Sequence, residues 1–156
     1  MMRGLIVVML LAGPVGPAAA DRLNETVIGT NPLLAAGERA LRAGDYEQGL
    51  RLTLDGSRSA VSLHDRPGVY NNLCAGYVGV RRYAQALAAC DKALEIRAQN
   101  WRVFNNRALA LLGLGRIAAA RADVDRGLAL HPGSPTLARV AALIDQRAGR
   151  RLIAAE

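Results

Sequence analysis

Residues 67–134 read PGVYNNLCAGYVGVRRYAQALAACDKALEIRAQN and then, without a gap, WRVFNNRALALLGLGRIAAARADVDRGLALHPGS: one 34-residue unit written twice. The two copies share ten identities, among them Asn71/Asn105, Asn72/Asn106, Gly79/Gly113, Arg82/Arg116, Ala86/Ala120 and Leu94/Leu128. An aromatic faces an aromatic at Tyr70/Phe104. A fixed period of this size with two helical patterns per period marks a helical repeat array. In such an array each helix pair buries its apolar face only by stacking on a neighbour.

The unit can be followed backwards. PLLAAGERALRAGDYEQGLRLTLDG reads as helix, turn at Gly44-Asp45, helix, and opens on a cap residue and a first-position proline at Asn31-Pro32. It is a third, degenerate copy, Thr30 to Leu63, set off from the next by His64-Asp65-Arg66. The turn signals keep time: Tyr46 to Tyr83 is 37 positions because of those three residues, and Tyr83 to Ile117 is 34. Forwards, Ser134-Pro135 starts another helix, with Leu137, Val140, Ala141, Ile144 and Ala148 on one face and Gly149 as its end. The expected organisation is therefore repeats at 30–63, 67–100 and 101–134, a capping helix at 135–149 and a tail at 150–156.

Composition agrees with an all-α class. Half of the 156 residues are apolar, which suffices for one continuous small core. Ala, Leu and Arg abound while aromatics are only 4%, a balance that favours helix over sheet.

The first residues read as an address. Arg3 supplies a positive start, Leu5 to Ala12 an apolar run, Gly13-Pro14 a break, and Ala18-Ala19-Ala20 an A-x-A end before Asp21. A spanning helix needs roughly 20 apolar residues, and this run is about half that before a breaker. A signal peptide over 1–20, cleaved after Ala20, is expected, with 21–29 as a flexible lead-in and a bacterial periplasmic or secreted destination. A retained anchor is the alternative. Cleavage would lower the net charge from +7 to +6, carried almost wholly by arginine, Lys92 being the one lysine.

The units resemble tetratricopeptide repeats over about residues 30 to 134, which implies a right-handed superhelical array of three helix pairs with a capping helix. That family places small residues at unit positions 8, 20 and 27, where helix axes about 8–10 Å apart leave no space for a long side chain. Here these are Gly37, Gly49 and Gly56, then Cys74, Ala86 and Ala93, then Ala108, Ala120 and Gly127. Larger apolar residues fall where the family packs its core: Leu33, Tyr70 and Phe104 at position 4, Tyr77 and Leu111 at position 11, Tyr46, Tyr83 and Ile117 at position 17. The first unit departs from the pattern with Ala40 where a large residue is expected and Thr53 where an aromatic is usual. Arg107 replaces the expected leucine at position 7 of the third unit, where only a snorkelling stem suggests itself.

The resemblance implies a protein- or peptide-binding adaptor whose inner helices line a concave groove. That face would hold Asn71, Asn72, Ala75 and Val78 from the second unit, and Arg102, Asn105, Asn106, Leu109 and Leu112 from the third. The first unit offers Asn31, Leu34, Glu38 and Arg42. An amide both donates and accepts, so a row of Asn can pair with the backbone of an extended peptide whatever its side chains. Each Asn costs a helix roughly 0.5 kcal/mol relative to Ala; the alternative is that they cap or solvate a first turn. The family's carboxylate clamp for acidic C-terminal tails is not implied, because Leu34, Ala35 and Glu38 occupy the places where it needs polar or basic groups.

No catalytic, cofactor or metal site is expected. His64 and His131 sit in no nucleophile, metal or acid–base pattern, and no Gly-rich phosphate loop occurs. For an exported chain nucleic acid is not an expected partner, and membrane contact is at most peripheral. The competing reading is an envelope-surface protein held electrostatically on anionic lipid or wall polymer by its arginines.

Cys74 and Cys90 are each eight residues from Arg82 in the turn between the second unit's helices. Antiparallel helices rise equally, about 1.5 Å per residue, so the two stand at the same height. They occupy unit positions 8 and 24, facing the contact within the pair. A disulfide is expected if the compartment oxidises it; otherwise both are small buried hydrophobes.

Overall fold

The computed structural model describes residues 31–59 and 61–153. The expected signal segment, 1–20, and the expected lead-in, 21–29, lie outside the described residues. Among those described there are seven helices and no strand. They run α1 (Pro32–Ala43), α2 (Tyr46–Ser57), α3 (Arg66–Gly79), α4 (Tyr83–Ile96), α5 (Trp101–Gly113), α6 (Ile117–Leu130) and α7 (Pro135–Ile153). Each unit is a pair, α1/α2, α3/α4 and α5/α6. Each pair packs on the next through its second helix, and the first helices α1, α3 and α5 also touch in succession.

The starts and stops follow from local chemistry. Asn31 Oδ1 accepts from Leu33 N at 2.9 Å and Pro32 opens α1; Asp45 caps α2 through Gln48 N at 3.2 Å. Asn100 caps α5 through Arg102 N at 3.1 Å, and Ser134 caps α7 through Leu137 N at 3.4 Å. Such caps satisfy amide groups that have no partner within the helix. The turn inside each unit places position 15 in the left-handed region: Gly44 at φ 85°, Gly115 at φ 73°, and in the second unit Arg81 at φ 59°. A side chain there costs about 1 kcal/mol or more. Arg81→Gly is therefore expected to raise stability by about 0.5–1 kcal/mol after the extra freedom of glycine in the unfolded chain is subtracted, read as a higher midpoint in urea with unchanged slope.

All nine small positions are buried, and what they touch explains their size. A Cβ on Gly49 would meet Leu41 Cγ at 2.6 Å, and one on Gly56 would meet Leu34 Cδ2 at 2.7 Å. Position 13 repeats the theme between units: Gly79 lies under the Tyr46 ring and Gly113 under the Tyr83 ring. Positions 8 and 24 face each other in every pair. In the first, a Cβ on Gly37 would stand 2.6 Å from Thr53 Oγ1; in the third, Ala108 and Val124 are wholly buried. Thr53 fits because its hydroxyl donates to Gly49 O at 2.7 Å, so the missing aromatic leaves a satisfied polar group.

In the second pair the same two positions carry the disulfide between Cys74 and Cys90, with Cα atoms 5.3 Å apart. No free cysteine occurs among the described residues.

Two expectations are corrected. Leu33 was expected in the core and is 40% exposed, while Leu34 is 1% exposed. Position 4 faces the preceding unit, and among the described residues none precedes the first. The last helix does not end at Gly149 but runs to Ile153. A Cβ at Gly149 would meet nothing within 4 Å, so this end projects freely; one glycine costs about 1 kcal/mol in a helix, which the surrounding Ala, Arg and Leu outlast. Leu137, Val140 and Ile144 are exposed by 1% or less where α7 covers α5 and α6.

Candidate functional site

The inner helices bring together the residues expected of the groove, but not all at its surface. Asn71 and Asn72 on α3 and Asn105 and Asn106 on α5 are exposed by 1% or less. Asn106 Nδ2 donates to Asn71 Oδ1 at 3.1 Å, and Asn105 Nδ2 to Asn106 Oδ1 at 3.4 Å. Position 6 of one unit thus meets position 5 of the unit before it, so the amides form a hydrogen-bonded row across two inner helices. Amide–amide bonds in a buried site are electrostatically stronger than in water and fix the orientation of each group. Glu38 is 3% exposed and pairs with Arg42 one turn on. Arg42 is exposed, and Val78, Arg102 and Leu109 are partly exposed on the same helices. The Arg102 guanidinium lies 4.5 Å from the Trp101 ring centroid, and Trp101 stacks on His131 at 4.7 Å.

The main electrostatic feature was missed from sequence. Arg107 does not snorkel. Its Nε donates to Asp123 Oδ2 at 2.7 Å and its Nη2 to Asp123 Oδ1 at 2.8 Å, a bidentate fork from α5 to α6. Nη1 reaches Asp91 Oδ1 on α4 at 2.8 Å. One guanidinium therefore ties three helices from two units. The hydrogen bonds to Asp123 foremost, then those to Asp91, hold Arg107 protonated well above the usual range, against a burial that pulls the other way. The signal was present in the repeat: unit positions 7 and 23 are Leu73 and Ala89 in the second unit and Arg107 and Asp123 in the third. Both change together, from an apolar pair to an ion pair.

Among the described residues no group of three His, Cys, Asp or Glu could hold a metal ion, and no helix is long and apolar enough to cross a membrane.

No family model matches the chain. The Hsp70-Hsp90 organizing protein of Triticum aestivum is 32% identical to it over 103 residues, which are 66% of this chain and 17% of that protein. Among solved structures, the first TPR domain of human RPAP3 superposes with a TM-score of 0.65 at 19% identity, covering 76% of this chain and 91% of that one. The first TPR of Spaghetti (RPAP3) bound to the HSP90 peptide SRMEEVD gives 0.63 at 20% identity, covering 75% and 90%. A TPR-like protein from Chlorobium tepidum gives 0.65 at 21% identity, covering 76% and 90%. With the period, the nine small positions and the paired-helix stack, these show that the chain has the tetratricopeptide-repeat fold: three units and a terminal helix.

Proposed function

We propose that this chain is an exported adaptor that binds an extended protein or peptide segment on the face formed by α1, α3 and α5. The observation that carries the reading is the accessible set on that face, Arg42 exposed with Val78, Arg102 and Leu109 partly exposed, on inner helices held in register by the Asn106–Asn71 bond. The row itself is buried, so it holds the two helices in register while a bound segment would lie on the partly exposed Val78 and Leu109, with Arg42 and Arg102 supplying charge at the margins. Solved arrays of the same fold lend support, since one holds an HSP90 peptide and another an HSP70 peptide, SGPTIEEVD. Those peptides are acidic; here Leu34 and Glu38 stand where a clamp for such tails would need other groups, so a less acidic, extended segment is favoured. Export is favoured by the residue 1–20 pattern and by the Cys74–Cys90 bridge, which an oxidising compartment would maintain.

Capture from the native envelope with the chain from residue 21 onward tests this. Changing the partly exposed Val78 and Leu109 together to Ser is expected to abolish specific capture while leaving the helical circular dichroism unchanged. Capture that persists would overturn the groove assignment. The exposed arginines, among them Arg39, Arg51, Arg82, Arg116 and Arg126, favour a second reading as a binder of anionic lipid or wall polymer. That binding would collapse between about 50 and 200 mM salt, whereas contact on Val78 and Leu109 loses little.

A further inference from the structure

A cleft lies between the first two units. It has a volume of about 620 Å³ and is lined by Ser57 and Ser59 at the end of α2, Val61, and Arg66, Val69, Tyr70 and Leu73 on α3. It shares no residue with the asparagine groove. The equivalent place one unit on is spanned by Arg107 reaching Asp91 beside Phe104. At the first junction Leu73 stands at the position of Arg107, and Leu54 at that of Asp91, so no ion pair crosses the gap.

Floor and rim differ in chemistry. Val69 and Leu73 are nearly buried, and with Val61 and the Tyr70 ring they make an apolar floor. The rim is cationic. Arg66 is exposed and pairs with no carboxylate among the described residues, while Lys92 Nζ lies 5.7 Å over the Tyr70 ring. The nearest acids are engaged elsewhere: Asp65 accepts from Ser62 Oγ at 2.9 Å, and Asp55 pairs with Arg58 at 2.6 Å. Ser57 Oγ donates to Leu54 O at 2.7 Å and is left as an acceptor, whereas the Ser59 hydroxyl is exposed.

We propose that this cleft binds a small aliphatic carboxylate, its chain on Val61, Val69, Tyr70 and Leu73 and its carboxylate on Arg66 and Ser59. The volume falls within the roughly 300–1,000 Å³ of small-molecule sites, which pair an apolar lining with a few placed polar groups. A cation at the mouth of an apolar floor selects an anion with a tail over either part alone.

The test is a titration of the ¹⁵N-labelled protein with octanoate, with acetate and 1-octanol as the anion without the tail and the tail without the anion. Saturable one-site shifts confined to the amides around residues 57–73 are expected from octanoate, with acetate and 1-octanol at least about tenfold weaker. Arg66→Ala, at an exposed position, is expected to weaken octanoate about tenfold; Ser59→Trp, which fills the mouth from an exposed site, is expected to abolish the shifts while the remaining spectrum is preserved. Failure to saturate, shifts centred elsewhere, equal binding of 1-octanol, or an unaltered titration of the Arg66→Ala protein would each overturn the proposal.

Discussion

Replacing Arg107 by leucine, the residue its unit position carries one repeat earlier, is expected to destabilise the array by about 3 kcal/mol. Asp123 is 2% exposed and would lose both bonds of the guanidinium fork. Removing one partner of a buried ion pair commonly costs about 3–5 kcal/mol, because the other charge is left without compensation. The lower end applies here, since Arg126 Nη1 already lies 3.5 Å from Asp123 and can close on it. The informative companion is Arg107→Leu with Asp123→Ala, which writes the second unit's Leu73/Ala89 pairing into the third. That double variant is expected within about 1 kcal/mol of the parent, since replacing a buried ion pair by apolar residues is often neutral or stabilising. Urea denaturation of the parent, both single variants and the double variant checks this. A double variant as unstable as the sum of its singles would mean that Arg107 acts mainly through Asp91.

Breaking the Cys74–Cys90 bridge comes next in size. The cysteines are 16 residues apart in sequence, and closing a loop of that length removes about 3 kcal/mol of conformational freedom from the unfolded chain. The cross-link joins the two helices of the middle unit, the one with a partner on each side, so its loss is felt by both interfaces. Cys74→Ala with Cys90→Val is expected to keep the fold, because Ala108 and Val124 fill the same two positions in the third unit. It should lower stability by about 3 kcal/mol relative to the oxidised protein and abolish the dependence of the melting temperature on reductant. A variant that melts where the oxidised parent does would show that the bridge contributes little.

The sequence made some of these features legible and hid others, for physical reasons. Period and small residues are legible because a close helix crossing tolerates nothing larger, so Gly49 and Gly56 announce contacts whose geometry is then confirmed. The bridge was legible because symmetry about a turn fixes relative height on two antiparallel helices. Burial of individual side chains was harder. Leu33 and Leu34 differ by one helical step, and which one is covered depends on whether a unit precedes them. Gly149 looked like a stop because a glycine's local cost is visible in sequence, whereas the preference of its neighbours to continue the helix is spread over several residues. Arg107 was opaque when taken alone and intelligible only beside Asp123, since a charge at a core position makes sense with its partner in view. The asparagines lie on the expected helices, yet their position in the unit could not reveal that Asn106 and Asn71 bond to each other.

The central claim is that the face of α1, α3 and α5 receives a partner. Site-specific photocrosslinking tests it most directly: a photoreactive residue at Arg42, exposed on α1, is compared with one at Arg126, exposed on α6, each in the full-length protein in its native cell. The account predicts a discrete adduct from position 42 that survives 200 mM salt, an ionic strength that screens surface charges beyond about 7 Å, with none from position 126. Adducts from position 126 alone, or an adduct from 42 that vanishes with salt, would contradict it.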